Sequence, residues 1–300
     1  MKLNVEKLEV FGGHRDCVYN LSKIPDSSQF MSVAGDGLLV KWDLHQPDLG
    51  IPLAKMKNSS YALTFDNTTK KIWVADNFEG LRKIGLNEKQ EIKTIAFNKT
   101  HIFDLKIFGD HVFAAGGDGV LSVIQKHDVV FVKHIKCSDK SARTIAINPV
   151  ERELAVGYSD HFIRIFDLQN FGLKKQFKAH ENSIFTLKYT PDFQRLISAG
   201  RDAHLKIWDV QQNYEIQEDV VAHMYAINDL AFRPEGDLFA TCSMDKSIKI
   251  WDASTAKLLK VIDKARHAGH GTSINKLLWM SDNELLSASD DRTISLWKVQ

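Results

Sequence analysis

The chain has 300 residues, with 39 basic against 38 acidic side chains, a formal net charge of +1 and 44% hydrophobic residues. Apolar material is ample for a core, and the even charge balance speaks against a surface built chiefly to neutralise nucleic-acid phosphates. Three widely spaced cysteines, Cys17, Cys137 and Cys242, fit neither a disulfide framework nor a paired zinc motif; with a charged start at Met1–Lys7 and no run near the ~20 apolar residues of a membrane span, a cytoplasmic protein off the membrane is expected.

The first predicted element is a strand over 3–11. Seven repeats follow, at about 14–43, 56–86, 98–125, 138–167, 180–209, 223–252 and 270–299. Each closes on a large apolar residue: Trp42, Ile84, Ile124, Phe166, Trp208, Trp251 and Trp297. The steps between them run from 40 to 46 residues, the period of a four-stranded unit repeated about an axis. The fifth repeat shows the unit. Ile184–Tyr189 alternates apolar and polar as a strand, Thr190–Asp192 turns, Arg195–Ala199 is a second strand and Gly200–Ala203 is a tight turn. His204–Trp208 is a third strand, and a more polar fourth falls before His223. An Asp six residues before the closing position recurs at Asp36, Asp118, Asp160, Asp202, Asp245 and Asp291, where it can bond the following amides of its turn. The last repeat stops at its third strand. Pairing 3–11 with 293–299 is expected to complete it and remove the open sheet edges.

Four repeats carry a longer set: His14, Ser32, Asp36 and Trp42; His180, Ser198, Asp202 and Trp208; His223, Thr241, Asp245 and Trp251; His270, Ser287, Asp291 and Trp297. With the Trp-Asp pairs at 42–43, 208–209 and 251–252, these residues resemble the WD-repeat (WD40) family over residues 14–299. The resemblance implies an all-β, seven-bladed propeller, a single domain over 1–300, with four antiparallel strands per blade. It also implies that Trp donates to the hydroxyl, the hydroxyl to His and His to Asp, an order that the donor and acceptor capacities of these groups allow. Repeats two to four depart from the pattern. Met56, Asn98 and Ser138 stand in the His column, Phe78 and Ile84 replace Asp and Trp in repeat two, and His101 falls three residues late. These blades are expected to rest mainly on packing and to be the least stable.

Chemistry is weighed against this grid. The His, Ser and Asp residues are spread around a ring and closed by Trp, which is not one Ser-His-Asp centre. Gly35–Gly37 and Gly116–Gly119 sit in strand turns with no following helix, unlike phosphate loops. His134/Cys137 and His267/His270 lack a second pair at zinc spacing. No catalytic residue, metal or cofactor is expected, and the columns facing the axis are expected to be apolar, small or aromatic.

The inner strand carries the candidate binding residues. Val18, Ser60, Ile102, Ala142, Ile184, Ile227 and Ile274 form its buried column, so the next residues point the other way: Tyr19, Tyr61, Phe103, Arg143, Phe185, Asn228 and Asn275. In WD-repeat proteins this position tends to lie at the channel rim on the tight-turn face. Aromatic and Arg residues favour binding hot spots, and Arg201 is expected beside them. The expected function is a non-catalytic scaffold that binds a protein or peptide there, anchoring an apolar or cationic side chain. The alternatives are aromatics that merely plug the channel, an architectural subunit of a larger complex (RNA-processing or otherwise nucleic-acid-associated) using its blade sides, and a propeller enzyme with a channel site.

Overall fold

The computed structural model describes residues 3–86, 91–96 and 99–300. They form seven four-stranded antiparallel sheets. Six are built from consecutive strands. The seventh has the order Val5–Phe11, Ile294–Val299, Glu284–Ser289 and Ile274–Ser281, so the N-terminal strand is its outer edge. Its register runs from Val5 opposite Val299 to Phe11 opposite Ile294. The first strands of neighbouring blades touch right around the ring, from Val18–Lys23 through to Ile274–Ser281 and back.

Seven hydrophobic clusters fill the seven gaps between adjacent blades, rather than the blades themselves. One example is the cluster joining blades six and seven, with Ile248, Ile250, Leu285 and Trp297 all essentially inaccessible. A blade therefore has no core of its own, and its apolar faces are covered only when both neighbours are present. Among the described residues the single helix is the four-residue turn Lys264–His267, capped by Asp263, whose side chain accepts from the Arg266 amide. It accounts for the longest step between repeats.

Six of the seven tight turns are each fixed by their own Asp. Asp36, Asp118, Asp160, Asp202, Asp245 and Asp291 all accept the amide of the residue two places on. The residue between is left-handed in each case: Gly37, Gly119, His161, Ala203, Lys246 and Arg292. In the first and third blades only glycine fits there. A Cβ on Gly37 would lie 2.6 Å from the Asn58 carbonyl oxygen, and one on Gly119 would lie 2.1 Å from that of Ser138.

The bulge in the inner strand decides what the axis sees. In six blades the register of the first strand against the second shifts by one residue at the same place: Val18/Asn20, Ile102/Asp104, Ala142/Thr144, Ile184/Thr186, Ile227/Asp229 and Ile274/Lys276. The extra residue is Tyr19, Phe103, Arg143, Phe185, Asn228 or Asn275. A bulge re-aims its own side chain and flips the alternation beyond it. The residue after the bulge therefore also faces the channel, and the one after that, such as Leu21, Leu105 or Leu187, enters the core between blades.

Candidate functional site

The four complete polar sets close as linear chains. In blade one the Trp42 indole donates to Ser32 Oγ at 2.8 Å, Ser32 meets His14 Nε2 at 2.7 Å, and His14 Nδ1 meets Asp36 at 3.1 Å. The corresponding distances are 2.8, 2.7 and 2.9 Å for Trp208–Ser198–His180–Asp202. They are 2.9, 2.8 and 2.9 Å for Trp251–Thr241–His223–Asp245, and 2.8, 2.8 and 2.7 Å for Trp297–Ser287–His270–Asp291. In three of the four the turn Asp also accepts the amide after the His, from Arg15, Glu181 and Met224, so the loop entering that blade is tied to a tight turn on the same face. Burial pulls the His14 and His223 imidazoles below their ordinary range despite the Asp partners. Burial opposes ionisation of Asp202, but the His180 bond and two amides outweigh it and hold the carboxyl at about 2.

Blades two to four do not rest mainly on packing, and that expectation is corrected. In blade two Asp76, two residues before the Asp column, accepts the amides of Lys57 and Asn58 and pairs with Arg82 at 2.6 Å. In blade four Arg164, buried over the Tyr158 ring, pairs with Asp160 at 2.8 Å. Arg82 and Arg164 each stand two residues before the closing position, so an Arg–Asp pair replaces the His set. Blades two and three share a further buried set, in which Lys126 pairs with Asp66 at 3.3 Å and its carbonyl accepts from Lys83. Asn98, in the His column of blade three, lies outside the described residues. His101 takes no part in any such chain and stacks on Tyr61 and Phe103 instead.

The six bulge residues and Tyr61, their counterpart in blade two, gather at one place. Tyr19, Tyr61, Phe103, Arg143, Phe185, Asn228 and Asn275 line a single cavity of about 340 Å³ at the tight-turn end of the channel. Its rim is a continuous aromatic arc. Tyr19 meets Tyr61 edge-on at 4.6 Å, Tyr61 stacks on Phe103 at 5.8 Å, and the Arg143 guanidinium lies between Phe103 and Phe185, 3.7 and 4.7 Å from their centroids. The arc runs outward through His101 to Phe78, which is exposed at the turn. Two predicted members behave differently. The Asn228 amide donates to Ser273 and the Ile274 carbonyl, and the Asn275 amide to the Val18 carbonyl and Asp290, so both tie neighbouring blades together. Arg201 is exposed on the turn and does not line the cavity.

The floor corrects a second expectation, that the axis is apolar, small or aromatic. Asp104, Thr144, Lys188, Asp229 and Lys276 line it, and all but Thr144 also line a second cavity of about 510 Å³ opening on the opposite face. A charged layer thus divides the channel. Asp104 accepts from Lys106 at 3.0 Å and from the Ile145 amide at 2.8 Å; Asp229 accepts from the Leu277 amide at 3.1 Å and pairs with Lys276 at 3.2 Å. Lys188 has no hydrogen-bonding or ion-pair partner among the described residues. Burial, then Lys106 and Lys276, lower it to about 7, against the opposing pull of Asp229 and Asp104. The missed signal was a charged residue inside an otherwise apolar inner strand, at Asp104, Asp229 and Lys276.

Sequence reasoning also passed over Met224 and Tyr225. They follow the network His223, where other repeats have Arg15-Asp16 or Glu181-Asn182. They are 82% and 63% exposed, and Met244 in the adjoining tight turn is 51% exposed. The Met244 amide bonds the Ala226 carbonyl, so the three side chains share the tight-turn face of blade six.

The profile of the WD40 family (WD domain, G-beta repeat) matches residues 5–43, 171–209, 215–252 and 262–298, which are the complete repeats and their outer strands. The WD40 β-propeller domain of Doa1 superposes with a TM-score of 0.86 over 98% of this chain and 97% of that one, at 17% identity. The 66 kDa stress protein of Physarum polycephalum is 24% identical over 96% of this chain and 47% of its own length. The striatin homolog of Dictyostelium discoideum is 21% identical over 67% of this chain and 21% of its own. The chain spans less than half the length of the curated relatives it matches.

Proposed function

The chain belongs to the WD-repeat (WD40) family, and from that premise we propose that it is a non-catalytic scaffold holding a protein or peptide partner on its tight-turn face. The observation that carries the reading is the convergence there of two apolar features. One is the aromatic arc from Tyr19 to Phe185, and the other is the exposed Met224, Tyr225 and Met244. Large exposed side chains clustered on one face are what an interaction surface requires, and Tyr and Met are adaptable contact residues. The rings of Phe103 and Phe185 already carry Arg143, so a cationic side chain of the partner would fall to Tyr19 or Tyr61. The free Cys17, Cys137 and Cys242 support a reducing, cytoplasmic setting, and the charge balance supports protein rather than nucleic acid as the partner.

Exposed Val130, Val132 and Leu173 on the outer strands of blades three and four favour a second reading, docking through the blade sides. Affinity capture from the native cell separates the two. M224S/Y225A is expected to lose the partner with an unchanged melting temperature, and V132K to keep it. The reverse pattern transfers the function to the blade sides.

A further inference from the structure

Two cations in the channel make no ion pair among the described residues. The Arg143 guanidinium is part-buried between two phenyl rings, and its donors meet no acceptor among the described residues. Lys188, at the floor of the same cavity, is likewise without a partner. The other charges balance: Asp104 is matched by Lys106 and Asp229 by Lys276. A charge withdrawn from water is costly unless it is paired, and an arginine held against two aromatic rings is pre-organised to receive a planar or tetrahedral oxyanion at its N–H fork. The cavity volume, about 340 Å³, suits one side chain rather than a folded segment.

We propose that this cavity is an oxyanion pocket, in which Arg143 and Lys188 together bind the acidic side chain, carboxylate or phosphoryl, of a peptide segment lying across the tight-turn face. The inference rests on the docking reading above and names the group that the docked segment inserts. The aromatic arc then serves to hold Arg143 in place and to cover the segment's apolar neighbours. Lys188 couples binding to protons. Lys106 and Lys276 face it from the first strands of blades three and seven, and Asp104 and Asp229 from those of blades three and six. With its ordinary range lowered to about 7, an arriving anion raises it again, so binding takes up a proton and weakens as pH rises from 6 to 8.5.

The test uses inorganic phosphate and glutarate as probes on the whole chain, following the lysine ε-carbon resonances by NMR, with the Lys188 signal identified by its loss in K188M. In the free protein the Lys188 signal is expected to titrate near pH 7, well below the ordinary lysine range. Saturating probe is expected to move its midpoint up by about one pH unit or more, a tenfold coupling. R143Q is expected to weaken binding at least about tenfold, and R143K, which keeps the charge, to fall between. If R143Q does not fold, calorimetry on K188M gives the second reading, a severalfold loss of probe affinity. A preference for phosphate assigns a phosphorylated side chain, and a preference for glutarate a carboxylate. An unmoved Lys188, or equal affinity in wild type and R143Q, overturns the pocket. Partners captured equally by R143Q also overturn it while leaving the docking surface standing. Probe binding without any partner on this face keeps the pocket and removes the docking surface.

Discussion

At the scale of single residues, the molecule uses two solutions to one problem, the anchoring of a tight turn to the loop beside it. Four blades use the chain from Trp through a hydroxyl and His to Asp. Ser198→Ala would leave the Trp208 indole and His180 Nε2 without partners, at about 1–3 kcal/mol for each orphaned group. Denaturant unfolding should therefore place S198A well below wild type, while the same change at the exposed Ser254 costs little. Blades two and four use Arg with Asp, and D76N should destabilise by leaving Arg82 without its buried carboxylate partner. Titration follows from the same groups. His14 and His223 are held below the ordinary imidazole value of 6.5, so the stability they support is complete above pH 6.5 and lost as pH falls beneath it. Asp202 is held at about 2 against an ordinary 3.8, so its contribution is complete above 3.8 and lost as pH falls toward 2. Thermal melting against pH should show these two separate acid windows; a flat profile from pH 7 to 5 contradicts the buried neutral histidines. The His sets were legible in the sequence because they recur in register. Asp76 was not, because it does its work from two residues outside its column.

At the scale of the strand, the inner strand's bulge is the element that sets the channel. The period of the repeat, the closing residues and the turn Asp all survive in the sequence, since each is a fixed residue type at a fixed spacing. A bulge adds one residue and no distinguishing chemistry. Simple alternation therefore placed Tyr19, Phe103 and Phe185 toward the channel but sent Asp104, Asp229 and Lys276 to the wrong side. The N-terminal strand was legible for the opposite reason, as a surplus strand at one end and a missing one at the other. It carries Phe11, which packs edge-on against Phe30 at 5.1 Å and Trp42 at 5.9 Å and so joins blade seven to blade one. Removal of residues 1–11 should open the last sheet, expose Trp297 and lower the melting temperature sharply. Melting unchanged by that truncation would mean that the ring closes without it.

At the scale of the whole ring, cohesion is shared by seven interfaces, and the rigid sets are concentrated in blades five, six, seven and one. Amide exchange should be slowest there and faster through blades two and three, where no complete His set forms among the described residues and the first strand of blade two is only Leu63–Asp66. Equal protection in every blade would refute this asymmetry. The asymmetry bears on function, because the aromatic arc crosses the faster side while Met224 and Tyr225 stand on the slower one. A partner spanning the tight-turn face would bridge the two. The most direct test is an exchange footprint of the protein with its captured partner. The account predicts new protection in segments 58–62, 77–79, 99–103, 141–144 and 224–226, with the outer strands unchanged. Protection confined to the outer strands or to the opposite end of the channel would contradict it.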